Sequence, residues 1–264
     1  MSDVVTFDIL DHVATIKINR PAALNSMNPE VRWGLSQAFD KVENNDDIWI
    51  AVITGEGNKS FCAGADLKHF SQEQSATAKQ RAKWKKLLGE TVPLNERWYF
   101  PKPVIARVNG YALGGGLELA LSCDIIIASE NAEFGLPEPR RGLVAGGGGI
   151  HRLPRMIGLK QAMGYLLTGR HMSAKRAFEL GLVNEVVQLD KLDEAVNEWI
   201  KDIKKCSPQS IRATKEAALR GLDMALPKAY SKYYQSEGLR RLGTDMKEGP
   251  KAFSEKRDPV WTGQ

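Results

Sequence analysis

The stretch Val108–Gly149, VNGYALGGGLELALSCDIIIASENAEFGLPEPRRGLVAGGGG, carries the strongest pattern in the 264-residue chain. An Asn109-Gly110 turn follows the apolar run Val104–Val108. Gly114, Gly115 and Gly116 come next, followed by a helical pattern at Leu117–Ser122 and a strand-like run at Ile125–Ala128. A turn then holds Glu138 between Pro137 and Pro139. Three glycines ahead of a helix leave no Cβ over the backbone, so a ligand atom can approach the free amides of the first turn. Those amides and the helix dipole favour a developing negative charge. Glu118 lies three residues after Gly115, on roughly the same face as that amide. Either glutamate alone reads as an ordinary solvated or turn residue. Together, facing one small space, two carboxylates can hold a water molecule and divide proton removal from proton delivery.

Other glycine motifs fit poorly. The spacing Gly114-Gly115-Gly116-Leu117-Glu118 is not the G-x-G-x-x-G of a dinucleotide fingerprint. The run Gly142–Gly149 is glycine-rich like a phosphate loop but lacks the following Lys and Ser/Thr. There is no G-x-S-x-G elbow and no H-E-x-x-H.

Bulk properties narrow the class. With 42% hydrophobic and 26% charged residues the chain reads as one soluble globular unit. It has no run of about 18 apolar residues, so no membrane span is expected. Met1-Ser2-Asp3-Val4 lacks the basic region and apolar core of a secretory signal. Cys62, Cys123 and Cys206 are widely spaced and odd in number, which suits a reducing, cytoplasmic setting. With His12, His69, His151 and His171 scattered, no metal site is expected. The net charge of +5 suits anionic ligands, either a phosphate-bearing small molecule or nucleic acid.

In chain order, Val4–Leu10 and Val13–Asn19 predict a hairpin around Asp11-His12. Asn28-Pro29-Glu30 predicts a helix start, running to about Asn44 with Leu35, Ala38, Phe39 and Val42 on its inner face. Ile48–Thr54 predicts a buried strand. Phe61–Lys68 places the small residues Ala63-Gly64-Ala65 before another helix start and offers a second close amide. Between His69 and Phe100 lies a basic cluster, Lys79, Arg81, Lys83, Lys85 and Lys86 around Trp84, read as a solvated helix face or as a contact for ligand phosphates or RNA. Trp98, Tyr99 and Phe100 line an acyl pocket or pack in the core. Later helices are expected at Ile150–Ile157, Leu159–Leu167, Ser173–Leu180, Leu192–Lys204, Pro208–Leu219, Pro227–Arg241 and Lys247–Lys256, with a strand at Val183–Val187.

Asn109–Asp124 resembles the signature of the crotonase superfamily, the enoyl-CoA hydratase/isomerase family. Arg20-Pro21-Ala22-Ala23-Leu24-Asn25, Phe61–Lys68, Leu167-Thr168-Gly169-Arg170 and Ala177–Val183 extend the resemblance over nearly the whole chain. It implies an α/β fold, a crotonase-like spiral of repeated β-β-α units with a C-terminal α-helical trimerisation region. Residues 1–195 would hold the core with the coenzyme A and catalytic sites, and residues 196–264 the helical region. It also implies an oxyanion hole from the amides of Ala65 and Gly115. Glu118 would activate water and Glu138 would exchange a proton with substrate. Coenzyme A would lie along Ala22, Ala23 and Leu24 and along Ala63, Ala65, Asp66, Leu67 and Lys68, past Gly115. Lys256 or Phe253 would reach a neighbouring subunit's nucleotide.

The substrate implied is an acyl-CoA, with no cofactor beyond the coenzyme it carries, and the assembly a homotrimer or homohexamer. Family isomerases keep the Glu138 position and lack the Glu118 one, so retaining both favours a hydratase or dehydratase. The C-terminal Glu248-Gly249-Pro250 and Glu255–Trp261 are similar to the carnitinyl-CoA dehydratase branch. Arg140-Arg141 and Val144-Ala145 replace more apolar, proline-containing sequence and would reshape the acyl pocket. The alternative from another class is an RNA-binding protein on the same scaffold, contacting RNA through Lys79–Lys86.

Overall fold

The computed structural model describes residues 3–69 and 75–264. Met1, Ser2 and residues 70–74, the latter in the polar His69–Phe100 segment, lie outside the described residues.

The hairpin forms as expected. Strands β1 (Val5–Leu10) and β2 (Val13–Ile18) pair antiparallel, and Asp11 and His12 turn between them with positive φ angles of 49° and 67°. Helix α1 (Pro29–Asn44) is capped by Asn28, whose side chain accepts from the Val31 amide at 2.9 Å. Leu35, Ala38, Phe39 and Val42 are all buried on its inner face. Strands β3 (Ile50–Gly55), β5 (Val104–Val108), β7 (Ile125–Ser129) and β10 (Glu185–Val187) continue a six-stranded sheet in the order β1-β2-β3-β5-β7-β10. A second sheet of four strands orders β4 (Ser60–Cys62), β6 (Tyr111–Leu113), β8 (Glu133–Gly135) and β9 (His171–Ser173). The β3-β4, β5-β6 and β7-β8 pairs, each giving one strand to each sheet, are the turns of the spiral.

The apolar runs in β3, β5 and β7 do not alternate with polar residues because the large sheet is covered on both faces. Ala51, Ile53, Val104, Ala106, Ile126 and Ala128 face the main core with α1 and the second sheet. Ile50, Val52, Ile105 and Ile127 point the other way, against Leu192, Ala195 and Val196 of the helix Leu192–Lys204.

Two buried asparagines fasten the chain where strands leave the sheet. Asn25 donates to Ser60 O at 2.7 Å and Glu56 O at 3.0 Å, and it accepts from the Arg20 amide at 3.0 Å. Asn109 donates to Gly55 O at 2.8 Å and Gly57 O at 2.5 Å. Both supply donors to carbonyls of the Gly55–Ser60 turn, among them the buried Gly55 and Ser60 groups.

The basic cluster lies on the helix Ala78–Gly89, which opens with a Thr77–Gln80 capping box and buries none of its residues. Lys83 pairs with Glu30, and Trp84 meets His69 edge-on, so this is a solvated helix face. Trp98 is 82% exposed, while Phe100 is buried edge-on against Phe39. Phe100 therefore belongs to the core.

The C-terminal part differs from expectation at one place. Pro227–Arg241 is not one helix but two, Leu226–Ser231 and Gln235–Leu242, with Lys232 and Tyr234 extended between them. The break turns Tyr234 inward, where it is 8% exposed and its hydroxyl donates to Ala229 O at 3.0 Å. Tertiary burial of one ring overrides the continuous helical pattern. Among the described residues, no helix is long and apolar enough to cross a membrane.

Candidate active site

The central helix starts earlier than its apolar pattern indicated. It spans Gly115–Ala120, so the second and third glycines form its first turn. Each of the three glycines answers a different contact. Gly114 has φ 55°, and a Cβ there would stand 3.0 Å from Glu138 Oε1. A Cβ on Gly115 would meet Met27 Cε at 2.7 Å. On Gly116 it would collide with the Cys62 carbonyl of β4. The helix is thereby pressed against the end of the neighbouring strand.

That pressure sets two amides side by side. Gly64 has φ 90°, and a Cβ there would lie 3.2 Å from the Gly115 amide nitrogen. Beside it, Met27 donates to Gly64 O at 2.7 Å and Asp66 donates to Met27 O at 3.1 Å. This leaves the intervening Ala65 amide unused. Among the described residues neither Ala65 N nor Gly115 N has a backbone acceptor. Asp66 holds the segment from the other side. It pairs with Arg20 at 2.9 Å and accepts from the Lys68 and His69 amides at 3.1 and 3.2 Å, so it caps the turn that follows.

Glu118 and Glu138 line one cavity of about 390 Å³ with Ala63, Gly64, Ala65 and Gly115. Glu118 is only 7% exposed, and its Oε1 accepts from the Gly149 amide at 3.0 Å. Burial raises its carboxyl above the ordinary carboxylate range, against the pull of the Gly149 and Gly147 amides and of the Arg152 and Arg32 charges. Burial also raises Glu138. The charge of Glu118 adds to that rise, while Glu138's own amide and Arg141 oppose it. Glu138 Oε2 is buried and has no hydrogen-bond partner among the described residues. Two carboxylates inclined to hold protons, one with an unused oxygen, can bind and polarise a small polar molecule between them.

Several contributors were not legible as site residues. The glycine run near Gly149 serves Glu118, not a phosphate: a Cβ on Gly147 would fall against Glu118 Oε2. Asn95 donates to Gly147 O at 2.7 Å, and Arg152 donates to Asn95 O at 2.9 Å, which fixes that loop from behind. Met27, Arg32, Leu94, Arg141, Leu143, Val144 and His171 complete the walls. Their only sequence signal was the departure at Arg140-Arg141 and Val144. Of the expected coenzyme residues, Ala63, Ala65, Leu67 and Gly115 line the cavity, whereas Ala22, Ala23, Leu24, Asp66 and Lys68 stand outside its lining. Ala22 and Ala23 belong to a short helical turn, Pro21–Ala23, whose following residue Leu24 accepts from Ser60 Oγ at 2.8 Å and from the Ala63 amide at 3.1 Å.

The chain is 41% identical over 259 residues to the (E)-benzylidenesuccinyl-CoA hydratase of Thauera aromatica, covering 98% of this chain and 99% of that one. It is 37% identical over 257 residues to the carnitinyl-CoA dehydratase of Salmonella typhimurium, covering 96% and 95%. Among solved structures, the enoyl-CoA hydratase from Bacillus anthracis superposes with a TM-score of 0.88 at 35% identity, over 99% of this chain and all (100%) of that one. The enoyl-CoA hydratase from Mycobacterium tuberculosis H37Rv gives 0.88 at 37% identity, covering 100% of both chains. The enoyl-CoA hydratase/isomerase family model matches residues 8–264, and the chain belongs to that family.

Proposed function

We propose that the chain is an enoyl-CoA hydratase, adding water reversibly across the α,β double bond of an enoyl-CoA thioester. The observation that carries this reading is the pair of buried carboxylates, Glu118 and Glu138, on one cavity beside the bare amides of Ala65 and Gly115. The thioester oxygen accepts from those two amides, which stabilise the charge of the developing enolate. Glu118, oriented by the Gly149 amide, takes a proton from water as it attacks the β-carbon. Glu138 exchanges a proton with the α-carbon through its unpartnered Oε2. Burial raises both carboxyls above the ordinary carboxylate range, which strengthens each as a proton acceptor. The chemistry requires no metal or redox group, only the coenzyme carried by the substrate.

The coenzyme would run along the Ala22–Leu24 turn and the Ala63–Lys68 segment. The named relatives support hydration or dehydration as the reaction class, and their acyl groups differ. For assembly, a homotrimer or a pair of trimers is supported by the C-terminal helices, residues 196–264, where Leu222, Leu226, Tyr230, Leu242 and Phe253 are each at least 80% exposed. A cytoplasmic setting suits the three free cysteines.

The test is loss of enoyl thioester absorbance with crotonyl-CoA and a panel of longer, branched and charged enoyl-CoAs. Glu118→Gln keeps an acceptor for the Gly149 amide but removes the base, so a folded variant with a rate lower by about a hundredfold to ten-thousandfold is expected. No turnover on any member of the panel, with coenzyme A still bound, would sink the reading.

A further inference from the structure

The wall of the cavity carries two exposed guanidinium groups, Arg32 and Arg141, which reach Glu118 and Glu138 only through their fields. Arg32 lies three and seven residues ahead of Leu35 and Phe39 on α1, so the three share the helix stripe that faces the cavity. Arg141 closes the short helical turn Glu138–Arg141 and stands beside the cavity residues Leu143 and Val144. Among the described residues neither side chain makes a hydrogen bond or an ion pair. Several other arginines differ. Arg20 is paired with Asp66, Arg97 with Asp40 and Glu43, and Arg152 is bonded to Asn95 O.

An alkyl chain laid against Arg32 would strip water from a charge and return nothing for it. A carboxylate matches the forked donors of a guanidinium and removes that penalty. The reacting glutamates do not meet this need. Glu118 Oε1 is taken by the Gly149 amide, and Arg32 reaches that carboxylate only through its field.

We propose that the substrate is an enoyl-CoA bearing a second carboxylate on its acyl group, received by Arg32 with Arg141 in support. This rests on the hydratase reading of Glu118 and Glu138 and specifies the substrate class of the same site.

Two measurements separate the proposal from that reading. Calorimetric binding of the saturated, unreactive glutaryl-CoA and butyryl-CoA needs no turnover. Hydration of glutaconyl-CoA and crotonyl-CoA reads kcat/KM. Wild type should favour the carboxylated member of each pair by about tenfold or more. Arg32→Leu should lower that preference by about tenfold to a hundredfold, the worth of a charge-assisted hydrogen bond, chiefly through KM. Arg32→Lys, which keeps the charge but loses the fork, should fall between, and Arg141→Leu should show the smaller loss.

Three outcomes overturn the proposal. In the first, wild type shows no preference for the carboxylated ligand in either pair. In the second, Arg32→Leu weakens free coenzyme A and both acyl-CoAs alike, so that the guanidinium serves the coenzyme phosphates. In the third, both substrates lose kcat equally with a displaced pH profile, so that Arg32 acts only on Glu118. Absence of turnover with a retained glutaryl-CoA preference would instead refute the hydratase reading and leave the anion site standing.

Discussion

Substituting alanine at Gly115 and at Gly116 should have very unequal consequences, although the two residues are adjacent and share a helix turn. At Gly116 the new Cβ collides with the Cys62 carbonyl oxygen and lies 2.7 Å from its carbon. Cys62 yields little, because it is fully buried in β4 and paired with Ala112 of β6, beside a shift in the ladder's register. The helix must therefore withdraw by roughly 1 Å to restore an ordinary carbon–carbon contact. Overpacking of this kind costs about 1–3 kcal/mol. For a chain of this size that corresponds to a melting temperature lower by roughly 2–12 °C. The same withdrawal carries the Gly115 amide away from Ala65, and an error of about 1 Å in such a site can cost a hundredfold in rate.

At Gly115 the Cβ meets only the terminal methyl of Met27 within 3 Å, the next contacts being 3.8 and 3.9 Å away. A methionine end rearranges readily, so Gly115→Ala should cost less than about 1 kcal/mol. Urea denaturation and initial rates on an enoyl-CoA, run on both variants, decide the matter. Gly116→Ala with a wild-type midpoint and a wild-type kcat/KM would refute the idea that the helix is seated against Cys62.

Two further outcomes are expected. Glu118 and Glu138 have folded-state pKa values raised above their unfolded values, so the folded protein binds more protons than the unfolded chain between those values. Stability should therefore fall as pH rises from the ordinary carboxylate range through the raised values. Denaturation midpoints across that range should flatten in the Glu118→Gln, Glu138→Gln double variant. Lys102 is buried, and its ammonium donates to Val42 O and Asn45 O at 2.6 Å each, closing the C-terminal end of α1. Burial lowers its pKa to about 8, yet Lys102→Met should still destabilise by roughly 1–3 kcal/mol, as read from urea midpoints, because Val42 O loses its donor while Asn45 O keeps the Ile48 amide.

Much of the molecule could be reasoned from local pattern. Hairpin, α1 with its Asn28 cap, and the buried strands follow from turn chemistry and apolar periodicity, which act between residues close in sequence. Glu118 beside Gly115 is equally local, since three residues along a helix bring side chain and amide to one face. The Glu138 turn is rigid because of its prolines. The division of Leu226–Ser231 from Gln235–Leu242 was hidden, because only packing tells Tyr234 to turn inward.

Sequence alone thus determined most of the elements and singled out Glu118 and Glu138 as candidates, because those depend on bonds and contacts spanning a few residues. Tertiary structure decided the site. The approach of Gly64 to Gly115 joins two β-β-α turns, and the Gly149 amide reaches Glu118 from 31 residues away. Asn95 reaches the same loop across 52 residues, and Arg32 comes to the cavity from a helix near the start of the chain. Burial, which raises both carboxyls, and the packing that brings the exposed Arg32 and Arg141 to the same cavity are properties of the whole fold, encoded at no single position.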